Sequence, residues 1–199
     1  MSVNRLRLDD VANACRTCAK CNLGRRVYNG KVSNLALDQN RTPAYMIVGC
    51  APTMEDLDAG EVFGNKAFKD FEKCLYDATG LMREDIYLTN LCKCCLYGTR
   101  KPVDAEIRKC SEYLSEEIEA IRPNLVIGLG KMVLKAMTNV DDLDKYHGQF
   151  LFSQKYKTRV FSTYVPTLKR MGNEESYKSL MADLSALAQD IRGGSCRNG

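Results

Sequence analysis

The sequence predicts an α/β domain: a mostly parallel sheet with helices on both faces, the three-layer α/β/α arrangement. Three observations carry this. AYMIV (44–48), IYLTNL (86–91) and LVIGL (125–129) are short apolar runs of the kind that form buried strands. Stretches with apolar residues at helical spacing separate them. The resulting alternation of strand and helix is that of parallel strands joined by helical crossovers. The chain has 199 residues, 45% of them apolar, enough for one full core. It shows no linker, repeat or low-complexity tract, so a single domain over 1–199 is expected.

Taken in order, Leu8, Val11, Ala12 and Cys15 share one face of a short N-terminal helix. The cluster CRTCAKC follows, then a turn at Asn29-Gly30. The first strand runs into GCAPTMEDLDAGEVFGN, a long loop rich in Gly, Pro and acidic residues. Ala67, Phe68, Phe71, Cys74, Leu75 and Ala78 predict a helix over Lys66 to Thr79, ended by Gly80. After the second strand comes the cysteine-rich stretch NLCKCCLYGTRKPVDAEIRKC (90–110). Asp104 is the expected N-cap of a helix whose stripe is Ile107, Cys110, Leu114, Ile118 and Ile121 and which stops before Pro123. Gly130 opens a short helix, Lys131 to Met137, after the third strand. Phe150 to Phe152 and Arg159 to Tyr164 are expected to pair across a lysine-bearing turn. Leu180, Leu184, Leu187 and Ile191 mark a final helix, closed by Gly193-Gly194. In open parallel sheets the ligand site lies beyond the carboxyl ends of the strands, here the loops after Val48, Leu91 and Tyr164.

Composition narrows the function classes. No run of 18 apolar residues occurs, and MSVNRLRLDD lacks the apolar core of a signal peptide, so a cytoplasmic protein is expected. Ten cysteines in such a chain point to metal binding or reactive thiols rather than a disulfide scaffold. Both Cys15/Cys18 and Cys18/Cys21 are C-x2-C pairs, the spacing that turns two thiolates toward one metal centre, and spacing alone leaves the register open. Two thiolates from the 90–110 stretch would complete a four-sulfur site, with zinc and iron–sulfur as the competing occupants. The net charge of +4 is compatible with nucleic acid but is a weak signal.

Three segments taken together, VGCAPTMEDLDAGEVFG, REDIYLTNLCKC and EIRKCSEYLSEEIEAIRPNLVIGLG, resemble the iron–sulfur (family four) uracil-DNA glycosylases. That family has a C-x2-C pair, a first motif of the form VGEAPG-x-x-E-D-x-x-G-x-P-F-x-G, then Y-x-T-N-x-x-K-C and an E-I-x-x-C helix, and this chain has segments that resemble each of them. They occur in the same order over roughly Cys18 to Gly130. The resemblance implies a three-layer fold on a mostly parallel four-stranded central sheet. It implies a [4Fe-4S] cluster on Cys18, Cys21, Cys94 and Cys110, with Cys15 outside it, tying an N-terminal arm (1–30) to the domain. It also implies a pocket for a flipped-out base, with Phe63 stacking on the base and Asn90 reading its edge.

Two catalytic positions depart from the family pattern. Cys50 stands where the first motif has Glu, and Val165 stands where the final loop has His, in a loop one residue short. Loss of a general acid or base removes about 10²–10⁴ in rate, so little uracil excision by the usual route is expected. Cys50, Glu55 and Asp56, with Asp58 nearby, are the candidates for a substitute catalytic group. Leu168 is placed like the wedge that fills the gap left by a flipped base. Lys169, Arg170, Arg100 and Lys101 are the candidate phosphate contacts. The lone His147 precedes Gly148 where the family often has Arg-Gly, and the GLGK at Gly128 to Lys131 lacks P-loop spacing. Three functions are implied: a DNA-binding, weakly active or silent relative serving repair or replication with a protein partner; an active glycosylase for uracil or another altered base; or an interaction module on a vestigial pocket.

Overall fold

The structure is a computed structural model that describes residues 3–23, 27–28, 31–32, 43–96, 98, 100–168 and 172–195. Its first element is helix α1 (Val3–Arg16), on which Leu8, Val11, Ala12 and Cys15 are all buried, as their spacing requires. A two-residue ribbon follows, β1 (Val27–Tyr28) against β2 (Lys31–Val32). The domain then runs β3 (Tyr45–Gly49), α2 (Met54–Ala59), α3 (Lys66–Thr79), β4 (Ile86–Asn90), α4 (Asp104–Ile121) and β5 (Leu125–Leu129). It ends with α5 (Lys131–Thr138), α6 (Leu143–Tyr146), β6 (Gln149–Ser153), β7 (Thr158–Thr163) and α7 (Glu174–Ser195).

The central sheet has five strands in the order β4-β3-β5-β7-β6, one more than the four expected. The first four in that order are parallel; β6 pairs antiparallel with β7 at the edge, because a short turn can join only antiparallel neighbours. Strand alternation separates the two cores. Ile47, Leu88, Ile127 and Phe161 face the layer of α3 and α7. Met46, Val48, Tyr87 and Val126 face the opposite layer, with Leu8 of α1 and Leu114 and Ile118 of α4.

Helix boundaries largely follow the local chemistry. Asn65 caps α3 by accepting the N–H of Phe68 at 3.0 Å, and Gly80 closes it in the left-handed region at φ 76°. Three boundaries differ from the sequence reading. The acidic loop contains a helix, α2, whose cap is Thr53. The N-cap of α4 is Val103, not Asp104; Glu106 reaches back to accept the Val103 N–H at 2.9 Å, satisfying an end donor from inside the helix. Helix α7 runs through Gly193 and Gly194 instead of ending at them.

Candidate active site and cysteine centre

A pocket of about 160 Å³ opens at the carboxyl ends of β3, β4 and β5. Its walls include Gly49, Cys50, Asp56, Phe63, Asn90 and Val165, so residues from four separate stretches of sequence meet there. In the parallel β3–β4 pair, Gly49 lies opposite Asn90. A Cβ on Gly49 would stand 2.5 Å from Asn90 Oδ1 and 2.7 Å from Phe63 Cζ. Glycine is therefore what lets an aromatic ring and an amide close on one another at the floor. Phe63 has φ 58°, a left-handed conformation that is costly for an aromatic residue. Its ring is held by Phe68, with centroids 4.2 Å apart.

The pocket's acid is Asp56. Its side chain is almost wholly buried, at 2% exposure, and its carboxylate accepts four hydrogen bonds. These come from the Thr53 N–H (2.7 Å) and hydroxyl (2.8 Å) and from the Asn65 N–H (2.9 Å) and side-chain amide (2.8 Å). Its four usual acceptor positions are filled. Glu55 and Asp58 are exposed on α2 and do not line the pocket.

Cys50 is half-buried with its sulfur 3.6 Å from Met132 Sδ. Burial pushes its thiol up to about 11, with Lys101 pulling weakly the other way. Val165 packs tightly over Gly130, where a Cβ would lie 2.8 Å from Val165 Cγ1. With Leu129 and Pro166 it makes that side of the pocket apolar.

The other named residues are dispersed. Arg100 forms a two-pronged pair with Glu106, at 2.9 and 2.8 Å. Lys101 is exposed near enough to act on Cys50. The short 3-10 turn Pro166–Leu168 lines the pocket with Pro166 and Thr167, and Lys169 and Arg170 lie outside the described residues. His147 Nδ1 meets Asp183 Oδ1 at 2.9 Å, and the Thr163 hydroxyl donates to Asp183 Oδ2 at 2.6 Å, so the histidine is tied into the β7–α7 junction outside the pocket lining. The N–H of Gly130, in the GLGK turn, is already spent on Thr163 O at 2.7 Å.

The four candidate cysteines fall into two groups. Cys18 and Cys110 pack on the same group, Val11, Cys15 and Tyr113, while Cys21 packs with Cys94 against Leu23 and Leu96. The arm carrying Cys18 and Cys21 is docked on α4: Lys20 pairs with Glu112 and lies 4.4 Å over the Tyr113 ring, and the Tyr113 hydroxyl donates to Ala14 O at 3.3 Å. The Lys93 N–H points at Cys110 Sγ, 3.3 Å away. Four thiols in an apolar surround, one of them already receiving an N–H, fit the chemistry of an iron–sulfur cluster. Among the described residues no three His, Cys, Asp or Glu side chains already converge as a bound metal ion requires. Cys95, fully buried with its sulfur 3.4 Å from Met54 Sδ, belongs to the core.

One feature was missed in the sequence. Lys93 and Glu117 form an ion pair of 2.7 Å with side-chain exposures of 4% and 5%. The signal available was the lysine of the T-N-x-x-K-C segment, a charge set among apolar and cysteine residues.

Fold and cavity together define a class: α/β domains with an opening at the carboxyl edge of a parallel sheet, the place where such folds bind their ligands. The family follows from comparison. Residues 38–184 match the model of the uracil DNA glycosylase superfamily. The chain is 32% identical over 181 residues to the Type-4 uracil-DNA glycosylase of Archaeoglobus fulgidus, covering 86% of this chain and 88% of that protein. It is 33% identical over 166 residues to the Type-4 enzyme of Saccharolobus solfataricus, covering 80% and 75%. A further match is to the DNA polymerase of Bacillus phage SP01, 26% identical over 115 residues, 58% of this chain and 12% of the polymerase. The chain belongs to the uracil-DNA glycosylase superfamily. Among the described residues no helix is long and apolar enough to cross a membrane.

Proposed function

We propose that this protein binds DNA inside the cell, receives an extruded base against Phe63 and Asn90, and excises uracil slowly or not at all. One observation carries this reading. Among the described residues, the titratable groups lining the pocket are Cys50 and Asp56, and neither is equipped to act as a base near neutral pH. The Cys50 thiol is protonated there, with its pKa raised to about 11. The Asp56 carboxylate is occupied by four structural hydrogen bonds. A base catalyst needs a free, suitably tuned group within reach of the water it activates. On this reading the described lining keeps the groups that would hold a base and offers no free proton-transfer group beside them.

Cys18, Cys21, Cys94 and Cys110 would hold a [4Fe-4S] cluster, which when bound would tie the N-terminal arm to α4 and to the segment after β4. Leu168, Lys169, Arg170 and Lys101 would meet the DNA, with Arg100 held back by Glu106. Anaerobically prepared protein should contain about four irons with matching sulfide per chain. Zinc without sulfide would refute the cluster.

The function is tested by single-turnover excision on duplexes carrying uracil, hydroxymethyluracil, hypoxanthine or thymine, with binding measured in parallel. Preferential binding of one altered duplex with little release of free base is expected. Rapid excision abolished by Asn90→Ala would establish the second reading, an active glycosylase, which the identity to two Type-4 enzymes favours. The Type-4 enzymes it resembles support a place in DNA repair; the shorter match to a phage DNA polymerase is the observation that supports a place in replication beside a replication protein.

A further inference from the structure

The buried Lys93–Glu117 pair lies outside the pocket, yet it holds the residue that reads the base. Strand β4 alternates, so Ile86 and Leu88 face the α3–α7 layer and Tyr87 faces α4. Asn90 follows the first set into the pocket, and Thr89 follows the second toward Glu117. Lys93 lies just beyond the strand and folds back beneath it. Its ammonium donates to Thr89 Oγ1 at 2.5 Å, to the main-chain carbonyl of Asn90 at 2.9 Å and to Glu117 Oε2 at 2.7 Å. All three ammonium donors are thereby used. Glu117 in turn accepts from the Thr89 hydroxyl at 3.0 Å and the Tyr87 hydroxyl at 3.3 Å. The main-chain N–H of Lys93 meets Cys110 Sγ at 3.3 Å, and Cys94 is the next residue.

Stability does not account for this arrangement. Removing two charges from water costs several kcal/mol per ion, on the order of what their attraction returns, and well-packed apolar residues often serve as well. Nor does Lys93 hold a DNA phosphate, since its side chain is 4% exposed. What the pair does is fix the strand's last carbonyl from below. The Asn90 amide leaves that same residue to meet the Gly49 and Phe63 surface, where the fit leaves no room for a methyl group.

We propose that Lys93, with Glu117, is a positioning residue for Asn90 and couples the base pocket to the cysteine centre. It reaches Asn90 through its ammonium and Cys110 through its backbone. The inference rests on the reading that Asn90 contacts an extruded base.

The test uses the full chain with its cluster. Two duplexes are compared, one carrying a single 2′-fluoro-2′-deoxyuridine, whose glycosidic bond resists hydrolysis, and one carrying thymidine at that site. Lys93→Met with Glu117→Met removes both charges together. The paired variant should keep its visible cluster absorbance and its affinity for the thymidine duplex. Its preference for the uracil duplex should fall about tenfold, the scale on which residues touching neither ligand alter recognition. In an Asn90→Ala background the same pair of changes should cause no further loss, since both act through one side chain. If the paired variant does not fold, Glu117→Gln, which keeps the size and one acceptor, is read in the same assays. Unchanged preference, or a loss that adds fully to that of Asn90→Ala, overturns the positioning role. Equal affinity of the unmodified protein for both duplexes overturns the base-pocket reading, and this inference with it.

Discussion

Asn90 and Gly49 are register partners across the parallel β3–β4 pair, and Asn90 Oδ1 occupies a point 2.5 Å from where a Cβ on Gly49 would lie. The floor of the pocket is built on that missing methyl group. Phe63 reaches the same spot from the other side, at 2.7 Å. Shape here depends on three residues far apart in sequence, and it can be tested one atom at a time.

Gly49→Ala should push Asn90 and Phe63 apart. Inserting a methyl into a close-packed site typically costs about 1–3 kcal/mol. Urea unfolding should register that loss. Preference for a uracil-containing duplex should fall with it, while salt-dependent binding to ordinary duplex should persist.

Asp56→Ala should act on stability rather than on chemistry. It leaves the buried Asn65 donors, its main-chain N–H and side-chain amide, unpaired in a site where the carboxylate was 2% exposed. Each buried donor left unsatisfied costs about 1–3 kcal/mol, so a drop of at least about 2 kcal/mol in unfolding free energy is expected. A fully stable Asp56→Ala protein with altered excision would show that the acid is catalytic after all.

The Cys50 thiol should behave as a buried, protonated group. With its pKa raised to about 11 by burial, the thiolate is the minor form at pH 7 and becomes the major form only as pH passes that value. Alkylation by iodoacetamide, followed at this residue by peptide mass spectrometry, should be slow at pH 7 and rise steeply with pH over the alkaline range where the fold survives. Fast modification at pH 7 would mean an activated thiol and would reopen Cys50 as a nucleophile.

Cys50→Glu together with Val165→His should restore some uracil excision, because both positions already face the pocket that holds Phe63 and Asn90. Val165 already packs closely over Gly130, so the larger ring has to turn toward the pocket. The gain is expected to be modest, since a displacement of about 1 Å in a catalytic group can cost ~10²-fold. Asn90→Ala in that background should abolish it. No excision from the double variant, together with DNA affinity unaffected by Phe63→Ala, would favour a vestigial pocket and an interaction module.

Periodicity and punctuation, which the chain displays locally, determined most of the fold. The three parallel core strands, the buried face of α1, the cap at Gly80 and the short helix opened by Gly130 were all legible from residue type and spacing. Helix α2 was not, because its start depends on Thr53 and Asp56 capping each other while Asn65 comes back to the same carboxylate. The fifth strand was legible as a hairpin partner, yet its membership of the main sheet depended on β7 pairing with β5.

The sequence by itself also determined which residues are candidates: the cysteines, Phe63, Asn90 and the departures at Cys50 and Val165. What each candidate can do was decided by tertiary structure. Asp56 and Glu55 are adjacent carboxylates in the sequence, but only one turns inward, and its hydrogen bonds assign it to the frame of the pocket. Arg100 and Lys101 are adjacent cations, but Glu106 engages the first. Lys93 reads as one more basic residue until β4 and α4 are packed together and Glu117 meets it. The physical reason is common to all three. A side chain's charge and type are local properties, while its solvation and hydrogen-bond partners come from residues the chain brings back from a distance.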